Sequence, residues 1–270
     1  MSDGDHGEQN LADGFLSRLE NLGDRYSNLR FTFSKSLTGT GIEIGALHNP
    51  FPVPSRVKVF YADKSLPQER YEVYPDLLVE KIVKPHIICD NSFPDQIRDR
   101  SLDFVIASHV LEHMDNPLKA MLAWHRILKP GGVVLCVVPE ARFTFDKGRP
   151  LTTLDHLVWD FVNDGTELKS LSDLFHIAEC NLNMHDALHV EAAVDQAKKI
   201  LKSTSDTHFH VWTYDSFLEQ METLIRDSAF PFKIRDSASD NKHEMLFLFQ
   251  SKSVTASFYV PGQRVMRARR

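Results

Sequence analysis

Three acidic residues fall in or at the end of short apolar runs. Glu43 sits within Gly41-Ile42-Glu43-Ile44-Gly45, Asp63 follows Val57 to Ala62, and Asp90 follows Ile87 to Cys89. A carboxylate at the end of a parallel strand can accept hydrogen bonds from both hydroxyls of a ribose, and Asp63 stands twenty positions beyond Glu43. Glu43, inside its apolar run, must find a hydrogen-bond donor, because burying a bare carboxylate is costly. Gly45 would let the backbone of the following turn approach a ligand without a Cβ in the way. Three acids at successive strand ends make a negative rim suited to a nucleoside that lacks phosphates. A pyrophosphate cofactor would be repelled, and Gly39, Gly41 and Gly45 do not form the G-x-G-x-x-G of dinucleotide sites.

A second group follows the next apolar run, Phe104 to Ala107. His109-Val-Leu-Glu112-His113 matches H-x-x-E-H, in which two histidines one helical turn apart hold zinc and the glutamate acts as base. Zinc hydrolysis by these three residues is therefore a remote alternative. Against it, five positions with three specified recur by chance, and the string follows a buried strand.

Beyond Pro139, Arg142, Phe143, Phe145, Asp146, Arg149 and His156 crowd the mouth of the expected cleft. Arg142, Asp146, Arg149 and His156 are the candidate substrate contacts, and the two phenylalanines could stack on a ring. A loop knit by local salt bridges explains the same residues. His176, His185, His189, His208 and His210 lie further on. His185 and His189 would share a helix face, and His208 and His210 one side of an extended segment. Scattered histidines usually satisfy ordinary hydrogen bonds, and the sequence assigns no metal to them.

Positioning these groups requires strands that end together. The runs at 41–45, 57–62, 87–89, 104–107 and 133–138 have the length of buried strands. Between the last two, Asn116 and Pro117 open a helix through Leu128, and Lys129-Pro130-Gly131-Gly132 stops it. Strand, helix and strand in this order predict a parallel crossover and a sheet covered on both faces. Residues 1–10 read as disordered, 11–40 as an N-terminal helical segment with Leu11 to Leu22 in helical spacing, and 41–140 as the α/β core. Residues 141–207 read as a helical insertion near the cleft mouth, 208–255 as the return to the core with a helix from Tyr214 and strands at 232–234 and 245–249, and 256–270 as a basic tail.

Glu43-Ile-Gly45-Ala46, Asp63, Asp90, and Phe104-Val-Ile-Ala-Ser-His-Val-Leu-Glu-His113 with Pro117 and Leu128-Lys-Pro-Gly-Gly132 resemble class I S-adenosylmethionine-dependent methyltransferases of the small-molecule group. The resemblance implies a Rossmann-like, mostly parallel sheet with helices on both faces and S-adenosylmethionine as cofactor. It implies cofactor binding by Glu43, Gly45, Ala46, Asp63, Asp90, Ser108 and His109, with Asp63 on the ribose and Asp90 at the adenine amino group. The family motif continues Gly-x-Gly-x-Gly, whereas Ala46, Leu47 and His48 follow Gly45 here, which keeps a non-catalytic scaffold of the same fold as an alternative. A hydroxyl acceptor would need its proton removed, and His113 is the candidate base. A small acceptor, favoured as a sugar or glycan intermediate methylated on oxygen, is the expected partner.

The 270 residues carry 31 Lys and Arg against 37 Asp and Glu, a net charge of −6, which disfavours nucleic acid as a partner. Cys89, Cys136 and Cys180 are odd in number and widely spaced, as reduced thiols in a cytoplasmic protein would be. No run approaches a membrane span or a secretion signal. Oligomeric state stays open.

Overall fold

The computed structural model describes residues 28–69, 81–89, 94–184, 189–200, 207–228, 230–240 and 242–253. The expected disordered start, the helix over Leu11 to Leu22, Asp90, His185 and the basic tail lie outside these residues.

The apolar runs pair into one seven-stranded sheet of order β3-β2-β1-β4-β5-β7-β6. Its strands are β1 (Thr40–Ile44), β2 (Lys58–Asp63), β3 (Ile87–Ile88), β4 (Leu102–Ser108), β5 (Leu128–Pro139), β6 (Phe232–Ser239) and β7 (Glu244–Ser251). The first five pair in parallel, while β7 runs antiparallel to both β5 and β6. This is the Rossmann-like, mostly parallel sheet expected. The helices are α1 (Asn28–Ser34), α2 (Pro117–Ile127), α3 (Leu154–Val162), α4 (Glu167–Met184), α5 (Val190–Ile200) and α6 (Tyr214–Asp227). α3, α4 and α5 lie between β5 and α6 in the chain, and α4 packs on α5 through Ile177, Ala178, Ala193 and Ala197.

Alternation along the central strands fills both faces, which is why those strands read as nearly continuous apolar runs. Ile42, Ile44, Val105, Ala107, Val134 and Cys136 meet Leu118, Met121 and Trp124 of α2 and Phe217, Met221 and Leu224 of α6. Phe104, Ile106, Leu135, Val137, Leu246 and Leu248 face the other way, with Phe33 of α1, Leu37 and Phe51.

The β4-α2-β5 crossover begins as its residues dictate. Asn116 caps α2 by accepting the Lys119 N–H at 3.1 Å, and Pro117 takes the first helical position, where its missing N–H costs nothing. Its end differs from expectation. Lys129 to Gly132 are not a separate stop but the irregular start of β5, whose register against β4 shifts between Leu102 and Phe104. Gly132 permits this, since a Cβ there would press on the Asp103 carbonyl. The closing strands also run longer than their apolar residues suggested, because β7 is a central strand held on both edges.

Gly41 aligns with Phe104 across β1 and β4, and an ideal Cβ at Gly41 would overlap the Phe104 ring. Gly41→Ala should therefore destabilise the fold by about 2 kcal/mol, the usual cost of overpacking a filled core. Urea unfolding should show a lower midpoint with unchanged slope; an unmoved midpoint would mean that Phe104 steps aside freely.

Candidate functional site

The parallel strands end along one edge of the sheet, where ligands bind in open α/β folds. Pairing of Ile44 with Ala62 brings Gly45 beside the end of β2, and the Gly45 N–H donates to the Ala62 carbonyl at 2.9 Å. Gly45 has φ 66°, and Leu47 has φ 48°. The chain thus keeps a left-handed turn at Leu47 although no glycine supplies it, a conformation that bulky side chains adopt only at a cost. Ala46 is buried, and the Leu47 carbonyl accepts the Val83 N–H at 2.6 Å. Asp63 is buried at the end of β2, where its Oδ1 accepts the Lys64 N–H at 2.7 Å.

Glu43 points into the core. Its Oε1 accepts the Phe51 N–H at 2.8 Å, whereas its buried Oε2 has no hydrogen-bond partner. Burial pushes its carboxyl up to about 8, against the opposing pull of that N–H and of Arg30.

A second cluster follows β4. His109 has φ 54°, and this turn sends its ring across to β7, where Nε2 lies 2.8 Å from Glu244 Oε1. Arg30 of α1 completes the arrangement. Its Nε donates to Glu244 Oε2 at 2.8 Å, its Nη2 meets Oε1 of the same carboxylate, and Nη2 also donates to Ser108 Oγ at 3.2 Å. The other imidazole nitrogen, Nδ1, stands 3.6 Å from Glu112 Oε1, an ion-pair separation too long for a hydrogen bond. Burial opposes a charge on His109, but Glu112 and Glu244 overcome it and hold its pKa up to about 9.

Leu111 to His113 form a single 3-10 turn. His109 precedes it in a left-handed conformation, so the H-x-x-E-H residues do not lie on one α-helix as the zinc-peptidase reading requires. Glu112 is instead fully buried, and its backbone carbonyl accepts the N–H groups of Phe209 and His210 at 2.8 and 3.3 Å. Those bonds, with Thr152 N–H to the Val211 carbonyl at 2.8 Å, hold residues 207–212 against the site and deliver His208 to Glu112. His208 Nδ1 meets Asp146 Oδ2 at 2.7 Å, and Arg149 donates to Asp146 Oδ1 at 2.6 Å. His113 Nδ1 lies 3.1 Å from the Thr207 carbonyl, and its ring meets that of His208 edge-on. Burial disfavours the Glu112 charge, yet the surrounding histidines hold its pKa at about 2. Burial brings His113 down to about 4, keeping it neutral at pH 7.

Asp146 and Arg149 therefore bind each other and His208. Arg142 pairs with the buried Glu140 at 2.8 Å, while Phe143 and Phe145 are exposed. His156 Nε2 lies 3.1 Å from Asp160 Oδ2, near His210 and stacked on His176. Lys169 also faces Asp160, at 3.4 Å. Arg30, Glu244, Asp160 and Lys169 escaped the sequence reading. Asp160 had a local signal, four residues after His156 on a helix; Arg30 and Glu244, 214 positions apart, had none.

A family model described as a methyltransferase domain matches residues 38–223. No curated protein matches the chain in sequence. Among solved structures, an S-adenosylmethionine-dependent methyltransferase of Thermotoga maritima, described as a possible histamine N-methyltransferase, is 13% identical, with 88% of this chain and 97% of that one covered and a TM-score of 0.46. A provisionally assigned zinc-dependent alcohol dehydrogenase of Rhodobacter sphaeroides is 13% identical over 85% and 92% of the two chains, with a TM-score of 0.47. An Aquifex aeolicus S-adenosylmethionine-dependent methyltransferase is 13% identical over 87% and 97%, with a TM-score of 0.43. None of the three bears on substrate or mechanism.

The His109 charge depends on Glu244 as well as Glu112. Its folded pKa lies above the ordinary 6.5, so its contribution to stability is complete below about pH 6.5 and lost as pH rises through about 9. In chelator-treated protein the His109 ring resonances should titrate near 9, and Glu244→Gln should move that midpoint down and flatten the loss of stability between those pH values. An unmoved midpoint would show that Glu112 alone holds the proton.

Proposed function

The chain belongs to the methyltransferase-domain family, with S-adenosylmethionine as its cofactor, and from that premise we propose that it methylates a hydroxyl of a small, sugar-containing acceptor. The observation that carries the cofactor's placement is the buried Asp63 beside the left-handed Gly45 turn at one strand edge. S-adenosylmethionine supplies a methyl group already attached to a sulfonium leaving group.

In this reading Asp63 accepts hydrogen bonds from the ribose hydroxyls, with Asp90 taking the adenine amino group as the family resemblance implies. Gly45 and Ala46 present backbone to the cofactor, and Ser108 and His109 border it at the end of β4. Glu43 answers the methionine ammonium. Its orphaned, buried Oε2 fits that role, because a cationic donor would satisfy the oxygen and restore the carboxylate. Alignment of the acceptor oxygen with the methyl carbon then supplies much of the rate. The exposed Phe143 and Phe145 offer faces to a sugar ring, and Arg142 offers donors at the rim. The new C–O bond forms as the S–CH3 bond breaks and S-adenosylhomocysteine departs; the hydroxyl proton passes to solvent, because His113, the base expected from sequence, has one ring nitrogen committed to the Thr207 carbonyl and the other facing Glu112 at 3.8 Å.

Two measurements test this placement. Asp63→Ala should weaken S-adenosylmethionine binding by about 2 kcal/mol, roughly thirtyfold, the scale of hydrogen bonds to a charged group; a folded variant with unchanged affinity would remove Asp63 from the site. Glu43, with its pKa near 8, holds a proton at pH 7 and should release it when the ammonium arrives, so affinity should rise with pH up to about 8. Calorimetry in buffers of different ionisation enthalpy should find close to one proton released at pH 7, and none with Glu43→Gln. Binding without proton release in the native protein would place the ammonium elsewhere.

A further inference from the structure

Among the described residues of the strand edge, Glu112 is the acidic side chain whose surroundings the cofactor reading leaves unexplained. It is fully buried, and neither carboxylate oxygen has a hydrogen-bond partner. Around its Oε1 stand His109 Nδ1 at 3.6 Å, His113 Nε2 at 3.8 Å and His208 Nε2 at 3.9 Å. These separations are too long for hydrogen bonds. Donor atoms that share a tetrahedral ion through bonds of 2.0–2.2 Å stand about 3.3–3.6 Å apart, so His113 Nε2 and His208 Nε2 need draw in by only a few tenths of an ångström, whereas His109, held charged between Glu112 and Glu244, has no lone pair to offer an ion. The ligand atoms of Glu112, His113 and His208 all lie within 4.8 Å of one another.

The outer contacts fix which nitrogen is bare. His113 Nδ1 faces the Thr207 carbonyl, which can only accept, so Nδ1 carries the hydrogen and Nε2 keeps its lone pair. His208 Nδ1 faces one oxygen of Asp146 and Arg149 donates to the other, so the hydrogen of the His208 imidazole belongs on Nδ1 and Nε2 turns its lone pair towards Glu112. An imidazole whose far nitrogen donates to a carboxylate or backbone carbonyl is the usual support of a metal ligand. Without an ion, two lone pairs turn towards a carboxylate whose charge is answered only by the His109 imidazolium at 3.6 Å and whose oxygens make no hydrogen bond.

We infer that Glu112, His113 and His208 form a binding site for a divalent transition-metal ion of the zinc or ferrous class. Two imidazoles and one carboxylate suit such an ion, whereas calcium and magnesium prefer all-oxygen sets. Three protein ligands leave a coordination position for water or another oxygen. The nearby group of His156, Asp160 and His210 also brings its ligand atoms within 4.8 Å of one another. It is the weaker candidate, because the Lys169 ammonium already faces Asp160 and His156 is in direct contact with it.

The test uses the full chain, stripped with a chelator and titrated with Zn²⁺ and then Co²⁺. One equivalent of Zn²⁺ should bind, Co²⁺ should develop visible absorption, and X-ray absorption of the zinc-loaded native protein should show imidazole nitrogens. His208→Ala should abolish stoichiometric binding while circular dichroism and S-adenosylmethionine binding persist. Asp146→Asn, which touches no ion, should weaken Zn²⁺ binding tenfold to a hundredfold, the usual cost of losing such a support. His156→Ala should leave Zn²⁺ affinity unchanged. Absence of stoichiometric binding by the native protein would overturn the inference, as would binding that survives both His113→Ala and His208→Ala. Binding lost only with His156→Ala would overturn it too, by moving the ion to the second group. Should the variants fail to fold, a zinc spectrum without imidazole ligands in the native protein would suffice to reject it.

Discussion

A carboxylate taken wholly out of water must be answered by charge, and much of the strand edge is arranged around one such group, Glu112. Its answer comes from imidazoles, and each needs a partner of its own. His109 reaches Glu112 with one nitrogen only because Glu244 takes the other, and Glu244 is itself neutralised by Arg30 of α1. His208 is braced by Asp146, and Asp146 by Arg149. These charges therefore form chains that run outward from one point, through the partly exposed His109 on one side, and tie β4, β7, α1 and the segments around Asp146 and His208 together. Removing a middle link would leave a bare charge in the core, which costs far more than an exposed pair contributes.

Glu43 and Glu112 show how environment alone separates two residues of one type. Both are buried near the ends of adjacent parallel strands. Glu43 has one backbone N–H and the field of Arg30, which do not offset burial, so it keeps its proton near neutral pH. Glu112 has imidazoles around it and stays ionised. One is thus poised to change state when a cation arrives beside it, while the other is a fixed negative charge. The two halves of the edge therefore differ in charge, a protonated carboxyl on the β1 side and an ionised carboxylate beyond β4.

Backbone geometry pays for this arrangement in two places. Leu47 and His109 both adopt left-handed conformations that favour glycine, at 48° and 54°. At Leu47 the turn after β1 is left-handed although no glycine stands there. At His109 the same conformation breaks the chain out of β4 and turns the ring towards β7. Neither is visible as residue type, which is why H-x-x-E-H could be taken for one helical turn.

Much of the architecture was legible from residues alone, because strands buried on both faces and a capped crossover helix are written in local patterns: continuous apolar runs, Asn116 before Pro117, an acid at the end of β2. Asp63 could be placed at the end of β2 for the same reason, since its apolar run ends there. What the sequence could not express was any relation between distant residues. The bulged start of β5 depends on its register against β4, and the salt bridge of Arg30 with Glu244 closes across 214 positions. The meeting of His208 with Glu112 depends on backbone bonds between the 3-10 turn and residues 209 and 210. Periodicity reports which face of an element is buried. Only tertiary packing decides which buried charges face one another, because that outcome is set by long-range pairing and by the need to neutralise every carboxylate the core encloses.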